Sequence, residues 1–216
     1  MILSVDFHTH TFASPDSLTT PKRIVDILRS GKLDRVVITD HNTIAGAQAV
    51  HKIDPEHVII GEEIMTTRGE ILAAYVTDEV PAGLSPQDAI HRLKDQGAFI
   101  SVSHPFDRLR NGTWKLEDLL EITPLVDAIE TFNARCMFSL DNTRAAVFAR
   151  QHHLPATAGS DSHAAIEIGR AVVELPLFDG PDDLRNVIGQ GRVRGRLSPP
   201  WIHFASRYAS LRKKVV

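Results

Sequence analysis

Seven short runs of apolar and β-branched residues recur over the first 160 positions, and at the first three and the last three a histidine, aspartate or glutamate lies within two residues of the C-terminal end. The runs are ILSVDF (2–7), DRVVIT (34–39), HVIIG (57–61), EILAAYV (70–76), AFISVS (98–103), VDAIET (126–131) and LPATAG (154–159). Helical patterns fall between them at 20–30, 43–52, 85–96, 116–122 and 139–152, two of them opened by Thr20-Pro21 and Ser85-Pro86. This alternation predicts an α/β fold built on a largely parallel sheet. Only about eight residues separate the third run from the fourth, too few for a parallel crossover, so that pair is expected to be an antiparallel excursion. A short strand at AVVEL, a helix near 181–190 and a basic tail complete the chain.

In a closed or nearly closed α/β barrel the loops leaving the C-terminal strand ends meet at one mouth. The first run is followed by His8, His10 and Asp16, the second by Asp40 and His41, and the third by Glu62 and Glu63. His104 follows the fifth, Glu130 and Asn133 lie at the sixth, and Asp161 and His163 follow the seventh. If the fourth strand is reversed, its first residue, Glu70, joins the same mouth. Each motif alone has an ordinary explanation: Thr-Asp-His can cap a helix, and Gly-Ser-Asp-Ser-His can form a turn. Their shared placement points instead to metal binding. Residues i and i+2 of a strand share a face, so His8 and His10 can close on one ion.

Imidazole and carboxylate donors without a set of thiolates suit zinc, manganese or iron(II), and argue against a structural zinc knot. Five imidazoles with three to five carboxylates exceed one tetrahedral shell, so two or three divalent ions are expected. The other six histidines, His51, His57, His91, His152, His153 and His203, lie in helical or preceding-loop contexts and are expected to stay outside the site.

At 216 residues, 43% hydrophobic and 24% charged, the chain is expected to form one soluble globular domain over 1–216. The opening MILSVDFHTH has no basic segment and Asp6 interrupts its apolar run, so neither a signal peptide nor a membrane helix is expected, and the location expected is cytoplasmic. A single cysteine, Cys136, agrees with a reducing compartment and is expected to be structural. Charge is uneven: the net value is −3, yet residues 184–216 carry eight Arg or Lys and no acid, leaving −11 on the rest. The segment at about 191–216 is expected to be a basic, partly amphipathic element closing the barrel and packed by Trp201, Ile202, Phe204, Tyr208 and Leu211. A phosphate- or nucleic-acid-facing tail is the alternative.

In order, DFHTH, TDHNT, GEEI, SVSHP and GSDSH, over residues 6–163, resemble the PHP (polymerase and histidinol phosphatase) family of metal-dependent phosphoesterases. The resemblance implies a distorted seven-stranded (β/α)7 TIM-like barrel with a trinuclear metal centre at its mouth. It assigns His8, His10, Glu63 and Asp161 to one ion, with Glu63 bridging to a second that takes His104. Asp16, His41 and His163 would hold a third. Glu63 is preferred over Glu62 because the family spacing is Gly-x-Glu. Relatives commonly add a histidine after the glutamate motif, but none lies between His57 and His91 here, and Glu70 is its replacement by position.

The implied activity is hydrolysis of a phosphomonoester, or of a nucleotide or oligonucleotide phosphodiester, by metal-activated hydroxide at a di- or trinuclear centre. Asp40 is a candidate proton acceptor or orienting group, with helix capping as its alternative. Arg108 and Arg135 are candidates for the phosphate oxygens, which a guanidinium pairs bidentately. Partners are then a phosphate ester, with a nucleotide or short nucleic acid among them, and no membrane; the sequence sets no oligomeric state. Rival readings are a carboxylic or carbamic ester hydrolase on the same centre, and a non-catalytic polymerase-associated type of module.

Overall fold

All seven runs become strands in the computed structural model, which describes residues 1–215. They are β1 (Ile2–Thr9), β2 (Arg35–Ile38), β3 (Val58–Met65), β4 (Glu70–Ala74), β5 (Phe99–Val102), β6 (Ala128–Asn133) and β7 (Ala156–Gly159). Between them lie α1 (Pro21–Arg29), α2 (Ala45–His51), α3 (Pro86–Asp95), α4 (Leu116–Ile122) and α5 (Ser139–Gln151). Ser85 caps α3 by accepting a hydrogen bond from the Asp88 amide, with proline at the first helical turn. The chain continues through β8 (Ala171–Pro176), α6 (Gly180–Val187), β9 (Arg192–Gly195) and α7 (His203–Val215).

The sheet order is β7-β6-β5-β4-β3-β2-β1-β8-β9, the seven runs and the expected strand at AVVEL with one unexpected strand, β9. Among β1 to β7 only β4 is reversed, pairing antiparallel with β3 and β5. This places Glu70 opposite Met65 at the end of β3, the condition that brings it to the mouth. The seam between β1 and β7 is bridged beyond the strands, where the Asp161 amide donates to His8 O (2.7 Å) and the His10 amide to Ser162 O (2.9 Å). The result is a nearly closed, TIM-like barrel.

Two-residue alternation carries β2, β3, β5 and β6 from the core to the mouth, whereas a register shift between Asp6 and Thr9 turns His8 inward directly after Phe7 in β1. Val37, Ile59, Phe99 and Ala128 are buried with Phe7 in one cluster. The same faces continue to Thr39, Glu63, Ser103 and Glu130 higher up. On the outer faces, Val36 and Ile38 pack with Ile24, Val25 and Leu28 of α1 and Ala47 and Val50 of α2. Ile71, Ile100, Val102 and Ile129 pack with α3, α4 and α5 through Ile90, Leu93, Leu119, Ile122 and Phe148.

The tail departs from expectation. Residues 192–195 form a strand rather than the start of a helix, held by pairing with β8, and α7 begins only at His203. Of the five residues expected to pack it, only Ile202 is buried; Trp201, Phe204, Tyr208 and Leu211 are exposed. The covered side of the helix carries small residues, with Ala209 buried and Ala205 and Ser206 half-buried. No helix among the described residues is long and apolar enough to cross a membrane.

Candidate metal centre

β1 delivers His8 and the turn after it delivers His10, setting their Nε2 atoms 3.1 Å apart. His8 Nε2 is 3.3 Å from Glu63 Oε1 and 3.6 Å from Asp161 Oδ1. His10 Nε2 is 3.4 Å from Glu63 Oε2 and 3.3 Å from Asp161 Oδ1. Four ligands about 2.0–2.1 Å from a tetrahedral ion stand roughly 3.3–3.4 Å from one another, so these spacings match the edges of such a shell. Asp161 is aimed inward by a left-handed backbone (φ 51°), a conformation aspartate tolerates better than most side chains.

Glu63 reaches two more imidazoles, His104 Nε2 (3.2 Å from Oε1) and His41 Nδ1 (2.9 Å from Oε2). Glu70 Oε2 lies 3.4 Å from His104 Nε2. Towards the rim, Asp16 lies 3.0 Å from His163 Nε2 and 3.6 Å from His41 Nε2. The structure thus brings together His8, His10, Asp16, His41, Glu63, Glu70, His104, Asp161 and His163. Glu62, on the opposite face of β3, accepts from the Val80 amide (3.0 Å) and takes no part.

The donor set fits divalent ions. Asp16 Oδ1, Glu63 Oε2, Asp161 Oδ1 and His104 Nε2 are buried without a hydrogen-bond partner. Leaving such atoms unsatisfied is costly, and several of them within one buried cluster of imidazoles and carboxylates fit a site shaped for cations. The far ring nitrogens agree. His8 Nδ1 faces Glu130 Oε1 (3.1 Å), His10 Nδ1 faces Ser14 Oγ (3.0 Å) and His163 Nδ1 faces the Asp161 carbonyl (2.8 Å). An N–H donated there leaves each Nε2 lone pair directed into the cluster.

Electrostatics keep Asp161 and Glu63 ionised. Burial alone would raise Asp161 and Glu63, but Arg110 and His8 outweigh it at Asp161, and His8 and His41 do so at Glu63, so both are held well below the usual range. Burial, reinforced by His163 and His41, pushes the His10 imidazole down to about 3, keeping it neutral. Burial also opposes charge on His8, yet Glu63, Asp161 and Glu130 raise it well above its ordinary value, so its Nε2 gives up a proton when a cation takes that place. Glu70 is raised by burial and by Glu63 beside it.

Other groups hold this arrangement. Glu130 accepts from His8, from the His104 amide (2.8 Å) and from Asn133 Nδ2 (3.1 Å), so one carboxylate orients two ligands. Orienting groups of this kind are worth about 10–100-fold in metal affinity. Glu130→Gln is accordingly expected to weaken the tightest ion by that factor, read by competition with a chromogenic chelator. Gly159 is required for a different reason. A methyl group there would run into Cβ and the backbone nitrogen of His8, and backbone cannot swing aside. Gly159→Ala is expected to cost about 1–3 kcal/mol of stability through overpacking, together with metal affinity, read by thermal melts with and without metal.

The expected non-ligand residues fare differently. Asp40 is fully buried and accepts from the Thr11 amide (2.7 Å), Thr11 Oγ1 (2.6 Å), the Ser14 amide (3.1 Å) and Ser14 Oγ (2.5 Å). With its lone pairs engaged it is not placed to accept a proton from substrate or to cap a helix; it orients His10 through Ser14. Arg108 is bound by Asp141 (2.9 Å) and lies over the Phe138 ring, and Arg135 meets Ser206 Oγ (2.8 Å) of α7; neither pairs with the ligand carboxylates. The cation that does pair is Arg110, which engages Asp161 and also Asp107 (3.4 Å). Arg108 and Arg110 share the loop after β5, and which of two arginines turns inward is set by loop conformation, which carries no periodic signal.

Residues 139–193 match the family model described as PHP-associated (PHP_C). The chain is 33% identical over 187 residues to an uncharacterized protein of Methanocaldococcus jannaschii, covering 84% of this chain and 75% of that one. In structure it resembles a two-domain protein from Bacteroides vulgatus described as containing a predicted PHP-like metal-dependent phosphoesterase (TM-score 0.72, 19% identity, 97% of this chain and 70% of that one). It also resembles a lesion-specific endonuclease from Pyrococcus furiosus (TM-score 0.58, 15% identity, 89% of this chain and 58% of that one). With the barrel, the ordered motifs and their convergence at one mouth, these findings establish that the chain belongs to the PHP family.

Proposed function

We propose that this protein is a metal-dependent hydrolase of phosphoric esters, acting on a phosphomonoester or on a nucleotide or oligonucleotide phosphodiester. The observation that carries the reading is the buried ring of imidazoles and carboxylates with unpartnered donor atoms and a guanidinium at its edge. His8, His10, Glu63 and Asp161 would hold one ion, Glu63, His104 and Glu70 a second, and Asp16, His41 and His163 a third. Zinc, manganese and iron(II) suit these donors. When bound, such ions supply Lewis acidity and activate water near neutral pH.

The chain's own residues do the remaining work. Asp16 and His41 have side chains 27% and 19% exposed, against 0% for His8 and His10, so substrate approaches from the rim. Arg110 sits where a phosphate oxygen would compete with Asp161 for its guanidinium, and Arg135, whose Nε lies 3.7 Å from Glu167, keeps Nη1 without a hydrogen-bond partner. Both would neutralise equatorial oxygens, a role that electrostatic stabilisation makes worth about 10²–10³-fold per donor. Arg110→Ala is therefore expected to cost about a hundredfold in kcat/KM on a phosphodiester and little on a carboxylic ester.

Para-nitrophenyl phosphate, bis(para-nitrophenyl) phosphate and para-nitrophenyl acetate, each with Mn²⁺ or Zn²⁺, test the assignment. Turnover of either phosphate is expected; turnover of the acetate alone would leave the phosphoesterase reading without support. The likeness in fold to an endonuclease favours including the diester.

A further inference from the structure

Helix α7 carries its large apolar residues on the outside. Trp201, just before the helix, is 57% exposed, Phe204 69%, Tyr208 61% and Leu211 65%, a stripe at intervals of three, four and three residues. A contiguous exposed apolar stripe of this kind marks a contact surface. Its position says which. The stripe forms one wall of a cleft of about 650 Å³ whose lining includes Phe204, Arg207, Tyr208, Leu211 and Asp16 of the metal cluster. On its other flank Tyr208 lines a second cleft, of about 460 Å³, with Arg23 and His163. Lys213 donates to the carbonyls of Phe12 and Ser14, so the helix is fastened to the loop that bears Asp16.

Charge decides among occupants. Arg207, Arg212 and Lys214 are exposed on the same helix, and no acidic residue follows Asp183. A second copy of the chain packing stripe to stripe would set these cations against one another. A bilayer would cover the stripe and press the clefts, with the rim of the metal cluster, against lipid. A polyanion with flat apolar groups satisfies both features, its phosphates on the cations and its bases on the rings. Resting on the phosphoesterase reading, we propose that α7 is a stacking platform for single-stranded nucleic acid, which lies along the stripe with a phosphate directed into the cleft at Asp16. Bases stack on Phe204 and Tyr208, and Arg207 and Arg212 follow the backbone.

The test is fluorescence anisotropy of short labelled single strands, one DNA and one RNA, titrated with the metal-loaded protein, with strand integrity checked on a gel. Phe204→Ala/Tyr208→Ala is expected to weaken binding on the order of tenfold or more. Phe204→Tyr/Tyr208→Phe, which keeps both rings, is expected to bind as the natural protein does. Arg207→Glu/Arg212→Glu is expected to lower the slope of log affinity against log salt by about 0.7 for each phosphate no longer neutralised. Tight binding of either sugar supports the platform, and the preferred arm names the sugar. Equal binding by the alanine variant overturns it, as does equal affinity for duplex. A dimer that the alanine variant converts to monomer in light scattering, or capture by phosphatidylserine vesicles with no binding of strands, overturns it in favour of a self-interface or a membrane. The two readings fail separately. Silence on the para-nitrophenyl phosphates removes the phosphoesterase assignment whatever the strands do; turnover with strand binding insensitive to the alanines removes only the platform.

Discussion

Glu63→Gln is expected to abolish high-affinity occupancy of more than one ion and to lower kcat/KM on the best phosphate ester about a thousandfold or more, a loss of several kcal/mol of charge stabilisation. Four imidazoles, His8, His10, His41 and His104, meet this one carboxylate at 2.9–3.4 Å. Ser103 Oγ donates to it as well (2.8 Å), fixing its rotamer. Glutamine keeps the volume and one oxygen but loses the charge and presents an amide N–H₂ to one group of ligands. The effect thus falls on two ions at once, which no other ligand's replacement should do to the same degree. Elemental analysis of the purified variant reads the metal count independently of activity. The neighbouring Glu62→Gln is the control. Glu62 faces away from the cluster, is pushed up to about 7 by burial, and needs only an oxygen for the Val80 amide, which glutamine supplies. Metal loss in both variants alike would remove Glu63 from the centre of the site.

Removing the ions from the natural protein is expected to lower its melting temperature by about 10 °C. An ion that binds only the folded chain at a thousand times its Kd contributes about 4.1 kcal/mol, and for a chain of this size each kcal/mol shifts Tm by about 2–4 °C. The apoprotein is expected to stay folded, because the three apolar clusters of the core involve none of the ligands. Loosening is instead expected at the mouth, where unpartnered carboxylate oxygens and imidazoles would face one another, and hydrogen exchange of the segments around Asp16 and Asp161 reads it. Identical melts with and without chelator would contradict the assignment. In Glu63→Gln the metal-dependent increment should largely vanish.

Much of this was legible in the sequence. Strands and helices through residue 190 fall within a few residues of their expected limits, since each run is bounded by a turn or a cap and its burial follows a simple period. The gathering of the candidate ligands was legible because a parallel barrel turns position along the chain into position at the mouth. Alternation along β3 lets only one of Glu62 and Glu63 face the cluster, and the family spacing Gly-x-Glu chose Glu63. What failed were features with no periodic signature. β9, RVRG in sequence, holds one apolar side chain, and pairing with β8 makes it a strand. Arg110 and Arg108 differ only in how their loop turns. Asp40, expected as a proton acceptor or an orienting group, is left the orienting role by its hydrogen bonds with Thr11 and Ser14 from the loop after β1.

The tail makes the division clearest. By itself the sequence determined that a basic, amphipathic segment follows the barrel and that five histidines and their carboxylates gather at one end, because composition and spacing carry those facts. Only the tertiary structure decided which side of α7 faces the protein. Hydrophobic pattern favours burying the bulky stripe, but polar anchors hold the opposite side inward, where Ser206 meets Arg135 and Lys213 reaches the carbonyls of Phe12 and Ser14, with Ala205 and Ala209 on that same side. The aromatic side was left outward, beside the metal-binding mouth.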